Sequence, residues 1–172
     1  MTATPLSHPA PLADRVGISA TIRTALGRLV ATPSDPVATL LRLTLGIVIF
    51  PHGAQKVLGW FGGYGWDGTM GYLTGTIGLP TAVAALVILI EFLGPVALLL
   101  GFCTRLAALG ILAVMFGAIQ TVHRANGFFM NWGNAPGVKE GYEYHLLAIG
   151  IALALLIAGA GSLSIDRKLA PR

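Results

Sequence analysis

Charged side chains are scarce in this chain of 172 residues. Only 10% of the residues are Asp, Glu, Lys or Arg, and 55% are hydrophobic, whereas soluble domains carry about 25% charged residues. This composition excludes an ordinary soluble enzyme and indicates a single integral membrane domain in contact with a lipid bilayer. The net charge of +4 does not indicate a nucleic-acid partner, because the basic residues flank apolar segments, as in membrane proteins.

Cysteine pairs and clustered metal ligands are also lacking. Cys103 is the only cysteine, so the chain has no internal disulfide and no CxxC pair for thiol chemistry. The four histidines are scattered without HxH or HxxxH spacing, so no zinc or haem site is predicted. Flavin, iron–sulfur and nicotinamide motifs are absent too. An electron carrier would therefore be a quinone or would belong to a partner protein.

The first 36 residues lack an apolar run long enough for the core of a signal peptide. We interpret residues 1–36 as a cytoplasmic N-terminal tail. Within it, Ile18, Ile22 and Leu26 recur at helical spacing, which predicts a short amphipathic helix on an anionic membrane surface. A frayed tail is the alternative, because the glycines and threonines of this segment are weak helix formers.

Four apolar segments follow, each close to the roughly 20 residues that cross about 30 Å of hydrocarbon. Ser34 and Asp35 before Pro36 form a helix start for the first of them. The link between the second and third segments is so short that these two must be antiparallel neighbours. We predict an all-α membrane protein with four antiparallel transmembrane helices in a bundle. The predicted spans are residues 37–58, 81–101, 104–123 and 142–161, within a membrane domain of residues 37–161 that precedes a basic C-terminal tail of residues 162–172.

The distribution of basic residues predicts the orientation of the chain. By the positive-inside rule, the side that holds most of them is cytoplasmic, and both termini lie on that side. All the tryptophans and tyrosines fall on the other side, which suggests that folded outer loops cover a site. The glycine-rich connection 59–80 and the turn-rich connection 124–141 form these loops. The basic residues of the cytoplasmic side are Arg15, Arg23, Arg28, Arg105, Arg167, Lys168 and Arg172.

Polar side chains interrupt the apolar pattern near the end of the first span. His52 faces Gln55 and Lys56 one helical turn later, and Pro51 predicts a kink just before them. An ionisable group at the centre of a bilayer costs about 2.5–3.5 kcal/mol, so such groups indicate function. The alternative is that Lys56 extends to the membrane interface and that His52 only bonds a neighbouring helix.

Glu91 is the only acidic residue deep inside a predicted span, near mid-membrane, since Glu143 stands at the very start of the fourth span. A carboxyl group at that depth is either protonated or paired with a cation. The candidate cations on the first span are Arg42 from one side and His52 or Lys56 from the other. A purely structural pair between Glu91 and Arg42 is the alternative to a functional role, because breaking such pairs is strongly destabilising whatever their role.

Further polar residues gather at the outer ends of the third and fourth spans. Taken singly, each is typical of a membrane interface. Together with the polar end of the first span, they predict a cavity open to the outer leaflet. A small planar molecule could stack on aromatic rings there and exchange protons with His or Glu. These residues are Gln120, His123, Arg124 and Asn126 at or just after the end of the third span, and Glu140, Glu143 and Tyr144 before or within the fourth.

Several stretches of the chain carry a resemblance to a known family. They are LLRLTLGIVIFPHGAQKVLGWFGG, Glu91, GFCTRLAALG, HRANGFF and GYEYHLLAIGIALALLIAGAGSLSID. Over about residues 40–166, the chain resembles the DoxX family of four-span bacterial membrane proteins. The resemblance implies a multi-pass protein of the bacterial inner (plasma) membrane that works with quinones or with a redox protein partner.

We therefore expect a membrane oxidoreductase component, or a subunit of one, that binds a quinone or quinone-like phenol near the outer leaflet. Two alternatives remain open, namely a non-catalytic subunit that docks a protein partner and a small transporter or permeability factor. Small residues within the spans would also allow a homo-oligomer. The predicted catalytic residues are His52, His123, Glu91 and Glu143, and the predicted quinone-binding residues are Gln55, Lys56, Gln120, Arg124, Asn126 and Tyr144.

Overall fold

The computed structural model describes residue 27 and residues 30–170. The predicted surface helix of the N-terminal tail lies outside these residues. All regular structure in the described part is helical, without a strand, and this confirms the all-α fold class. The helices are α1 Pro36–Leu58, α2 Gly65–Gly71, α3 Thr81–Leu100, α4 Thr104–Ala118, α5 Glu143–Ala158 and α6 Ile165–Leu169.

Three helical segments are long and apolar enough to cross a membrane. They are α1, α3 and Thr104–Asn126. The last of these consists of α4 and its extension, a π-helical turn at Ile119–His123 followed by a 3₁₀ turn at Arg124–Asn126. α5 is apolar but has 16 residues, or about 24 Å of helix, so its crossing of the membrane stays a prediction. α1 and α4 each pack against both α3 and α5. The result is a helical membrane bundle.

The core of the bundle is built from aliphatic side chains of all four long helices. Leu45 and Ile49 of α1 pack with Leu98 of α3, Ile111 of α4 and Leu155 of α5, and all are buried. Burying side chains of this size removes apolar surface from solvent and packs the helices closely, as in any protein interior. This core holds the polar ends of the helices in a fixed relation to one another.

The connection between α1 and α3 differs from the expected glycine-rich loop, because much of it is helical. It contains a 3₁₀ turn at Trp60–Gly62, the short helix α2 and a π-helical turn at Tyr72–Thr76. Gly59 ends α1 with a positive φ of 69°, a conformation that glycine adopts without steric cost. The pattern of residues did not predict these helices because glycine is a weak helix former.

Arg42 ties the helices together at the end of the bundle where α1 begins. Its side chain lies in α1, is 1% exposed and donates only to backbone carbonyls. Those acceptors lie at the end of α3 and in the turn after α5, where carbonyls have no partner within a helix. Arg42 is therefore not the cation that pairs with Glu91. Nε donates to Ala160 (3.0 Å), Nη2 to Leu163 (2.6 Å), and Nη1 to Leu99 (2.8 Å) and Leu98.

Asp166 supports the start of α4 at the same end of the bundle. Its carboxylate accepts the backbone N–H groups of Cys103 (2.7 Å) and Thr104 (2.9 Å), and the residue is 1% exposed. Burial and the nearby Asp166 carboxylate raise the pKa of the Cys103 thiol. The thiol therefore stays protonated at neutral pH, which makes it a poor nucleophile. The predicted C-terminal tail thus contains a residue that caps a transmembrane helix.

Replacing Asp166 with asparagine is expected to destabilise the folded protein by about 1 kcal/mol, because the substitution removes a charged acceptor from two N–H groups at a helix start. The measurement is the midpoint of thermal unfolding in mild-detergent micelles. Asp67→Asn is the matched control, since Asp67 is exposed on α2. Equal midpoints for Asp166→Asn and the control would contradict the capping role.

Candidate functional site

Six polar side chains meet inside the end of the bundle that carries the two long connections. We call this set the polar cluster, and this end the long-loop end. α1, α3, α5 and the extension of α4 all contribute to the cluster. Electrostatic interactions link His52 with Lys56 and Glu91, Tyr144 with Glu91, and His145 with His52 and His123. The polar cluster consists of His52, Lys56, Glu91, His123, Tyr144 and His145.

The charged part of the cluster is an ion pair between α1 and α3. Lys56 Nζ lies 2.8 Å from Glu91 Oε1, with 29% of the lysine side chain and 8% of the glutamate side chain exposed. Lys56 is therefore the cation that pairs with Glu91, among the candidates considered from the sequence. A buried carboxylate needs such a partner, since leaving a charge unpaired in an apolar environment is very costly.

Gly53 allows α1 to approach α3 closely enough for this pair to form. A Cβ atom at position 53 would overlap the backbone carbonyl of Glu91 and the Cα of Phe92. Pro95 has no N–H to give to that Glu91 carbonyl, so the two helices touch where α3 lacks one of its regular backbone hydrogen bonds. Lys56 follows Gly53 by one helical turn and therefore faces Glu91.

His52 and Tyr144 join α1 to α5 beside the ion pair. Their ring centroids are 6.1 Å apart, and the rings are tilted by 43°. His52 is exposed and Tyr144 is partly buried. A molecule could therefore reach the cluster past the His52 ring and meet Tyr144 and the ion pair behind it.

The two remaining histidines, His123 and His145, lie in contact with their rings tilted by 44°. Their ring centroids are 4.1 Å apart. His123 closes a π-helical turn, Ile119–His123, a widened turn that is often found at functional sites. The His123 Nδ1 lies 2.9 Å from the Glu140 carbonyl. Because a carbonyl can only accept, Nδ1 carries the proton, which leaves Nε2 of the neutral ring as a proton acceptor.

Two buried atoms of the cluster have no hydrogen-bond partner among the described residues. They are the Tyr144 hydroxyl oxygen and Nδ1 of His145, and His145 as a whole is only 6% exposed. The great majority of buried polar side-chain atoms in proteins have a partner. These two atoms are therefore the part of the cluster best placed to bind a polar group of a ligand.

The other predicted site residues lie around the cluster and hold the long connections. Glu143 accepts the Met130 N–H (3.1 Å) and the Trp132 indole N–H (2.6 Å), so its carboxylate secures the 127–141 connection. Glu140 accepts the Asn131 N–H through its carboxylate. Both carboxylates thus hold residues 130–132 of the connection before α5. The catalytic role of Glu143 stays a prediction.

The predicted amide and guanidinium groups take part in local contacts as well. Gln55 donates to the Phe61 carbonyl (3.3 Å) and Asn126 to the Glu140 carbonyl (2.9 Å). Arg124 and Gln120 are exposed, and Arg124 Nη1 donates to Gln120 Oε1 at 3.4 Å. These four residues form the surroundings of the polar cluster rather than its centre, and their roles in binding stay predictions.

His145 and Gly53 are site residues that the sequence analysis did not select. His145 follows Tyr144 in an otherwise apolar helix, and a buried histidine in such a helix is itself a signal of function. Gly53 directly follows His52, and a glycine beside a polar residue in a membrane helix indicates close helix packing. Both signals are visible only when they are combined with the packing of α1 against α3 and of α4 against α5.

The fold and the site define a multi-helix membrane protein with a partly buried cluster of ionisable side chains. The chain belongs to the DoxX family, whose sequence pattern matches residues 37–124. That match includes four of the six cluster residues, with His123 close to its end, whereas Tyr144 and His145 lie beyond it.

Two relatives extend the similarity further along the chain. "Putative oxidoreductase CatD" of Bacillus subtilis (strain 168) is 35% identical over 127 residues, which cover 74% of this chain and 82% of that protein. "Inner membrane protein YqjF" of Escherichia coli (strain K12) is 39% identical over 136 residues, covering 78% and 93%. No solved structure shows significant similarity to the chain. The name of the Escherichia coli relative places that protein in the inner membrane.

Proposed function

We propose that this DoxX protein is a component of a membrane redox system and that its polar cluster binds a quinone or a quinone-like phenol. The Tyr144 hydroxyl and His145 Nδ1 carry the proposal, because both are buried without a partner among the described residues. The oxygens of a quinone or quinol can accept or donate the hydrogen bonds that these atoms offer. The name of the Bacillus subtilis relative, an oxidoreductase, is in keeping with this chemistry.

The histidines of the cluster supply the proton chemistry in this proposal. Interconversion of a quinone and its quinol moves protons together with electrons, and histidine is the side chain best suited to exchange protons near neutral pH. His52 is exposed and would pass protons between the site and its surroundings. His123, with its Nδ1 held by the Glu140 carbonyl, would accept a proton at Nε2.

The ion pair would position the ligand without adding net charge to the site. Lys56 and Glu91 neutralise each other at 2.8 Å, and an uncharged site suits an uncharged quinone in an apolar environment. The ammonium group would still attract the oxygen of a quinol that loses its proton. In the orientation that the positive-inside rule predicts, the cluster would lie near the outer leaflet.

A non-catalytic docking subunit is the second candidate. It is favoured by aromatic side chains that project from the long-loop end, among them Tyr64, Phe129 and Trp132, which are all strongly exposed. Exposed aromatic residues are enriched at protein interfaces, although they also occur where proteins meet the membrane interface. A redox protein docked there would carry the electrons that this chain has no motif to carry.

Removal of one hydroxyl group tests the proposed quinone site. Tyr144→Phe is expected to weaken quinone binding about ten-fold, which corresponds to the loss of one hydrogen bond in a buried site. The measurement is the quinone content of full-length protein purified in mild detergent, followed by titration with a short-chain quinone. Tyr142→Phe removes the same atom two residues away and is expected to leave binding unchanged, because Tyr142 packs on Phe128 outside the cluster.

Two results would contradict the proposal. Equal quinone affinity in the Tyr144→Phe variant and the wild type would remove Tyr144 from the site. Absence of bound quinone in the wild type, together with a co-purified soluble protein, would instead support the docking subunit. Thermal unfolding of each variant shows whether a loss of binding reflects the site or the fold.

A further inference from the structure

A second polar site lies at the opposite end of the bundle. A cleft of about 710 Å³ is formed there by the end of α3, the turn after α5, and α6. Such a volume falls within the roughly 300–1,000 Å³ of small-molecule sites. We call it the basic cleft, because Arg167 and Lys168 line it together with the hydroxyl-bearing residues Thr32, Ser162 and Ser164.

The cations of the basic cleft lack a carboxylate partner among the described residues. Within residues 30–170, no acidic side chain lines the cleft. The acids at this end of the bundle, Asp35 and Asp166, accept backbone N–H groups at the starts of α1 and α4. Arg167 donates through Nη1 to the Ser34 hydroxyl at 2.6 Å, which holds the guanidinium group at the wall of the cleft. The positive charge of Arg167 and Lys168 therefore favours an anionic ligand.

The surroundings of the cleft place it at the boundary between lipid tails and headgroups. α1 begins and α3 ends at this level, so the apolar part of the bundle stops there. Leu100 and Leu163 belong to the lining, and Leu163 is 79% exposed. A ligand in the cleft would thus meet cations on one side and exposed aliphatic side chains on the other.

We infer that the basic cleft binds the phosphate group of an anionic phospholipid, with an acyl chain along Leu100 and Leu163. Basic pockets at the ends of transmembrane helices are suited to such headgroups, because phosphate gains charge-assisted hydrogen bonds from Arg and Lys while the lipid tails stay in the bilayer. This site is separate from the polar cluster, and the inference does not depend on the proposed function.

Lipid-dependent stability of the full-length protein in mild-detergent micelles tests the inference. Added phosphatidylglycerol is expected to raise the temperature of unfolding, whereas phosphatidylcholine, which has no net charge, is not. Lys168→Gln is expected to raise the phosphatidylglycerol concentration needed for half of this effect about five-fold. Lys139→Gln makes the same change of charge on an exposed residue of the long-loop end and is expected to leave that concentration unchanged.

Three outcomes would overturn the inference. One is equal stabilisation by phosphatidylglycerol and phosphatidylcholine, and another is an equal effect of Lys168→Gln and Lys139→Gln, which would indicate only a general charge effect. The third is full protection by glycerol 3-phosphate alone, which would make the ligand a soluble phosphate compound. Lys168 is exposed on the last turn of α6, so its replacement leaves the bundle folded and keeps the test valid.

Discussion

Replacing Glu91 with glutamine is expected to destabilise the folded protein by about 3 kcal/mol, the lower end of the range for breaking a buried ion pair. Glutamine keeps the size of the side chain but leaves the Lys56 ammonium group without its counter-ion. The lower end applies because 29% of the Lys56 side chain is exposed, so solvent relieves part of the cost. The measurement is reversible unfolding in detergent micelles.

A double variant separates the ion pair from other effects of the Glu91 substitution. Adding Lys56→Met to Glu91→Gln removes the unpaired charge, and the double variant is expected to recover most of the lost stability, because replacing both partners of a buried pair is often neutral. No recovery would show that Glu91 acts through a partner other than Lys56. A change below about 0.5 kcal/mol in Glu91→Gln would show that the pair contributes nothing, as is common for exposed pairs.

The same variants distinguish a structural role of the pair from a functional one. If the double variant folds normally but no longer holds quinone, the pair belongs to the ligand site. If it folds and binds quinone as the wild type does, the pair only joins α1 to α3. These outcomes also distinguish the proposed role of Glu91 from that of Tyr144. Both belong to the polar cluster, but Glu91 lies in α3 and Tyr144 lies in α5.

The helices that cross the membrane could be predicted from the sequence, because length and apolar character alone identify them. α1 and α3 are clear cases, since α1 begins with Pro36, α3 directly follows Pro80, and a glycine caps the end of each. The short helices between residues 59 and 80 could not be predicted in this way. They exist because glycines with positive φ, such as Gly59 and Gly65, bend the chain into turns that α1 and α3 then hold in place.

The partner of Glu91 shows which part of the site was beyond prediction. Counting residues along the helices left Arg42, His52 and Lys56 as candidates without a choice between them. The choice depends on a contact distant in sequence, because carbonyls of the turn after α5, at Ala160 and Leu163, bind Arg42. The contact between the His123 and His145 rings likewise depends on the packing of α4 against α5. Residue types were thus predictable, but their pairings were not.

The close contact of α1 with α3 leads to the second large expected effect. Gly53→Ala is expected to destabilise the protein by about 3 kcal/mol, at the upper end for overpacking. The added methyl group would overlap backbone atoms of Glu91 and Phe92, which cannot turn aside as a flexible side chain can. α1 and α3 would have to separate, which would lengthen the contact between Lys56 and Glu91 and weaken quinone binding together with stability.

Gly150→Ala is the matched control for this substitution. Gly150 also lies within a long helix, but a Cβ atom there would meet nothing within 4 Å. Since alanine is a better helix former than glycine, this variant is expected to be unchanged or up to about 1 kcal/mol more stable. Equal unfolding midpoints for the two variants would mean that α1 and α3 do not touch at Gly53. A destabilised Gly53→Ala variant with normal quinone binding would instead show that the site tolerates separation of these helices.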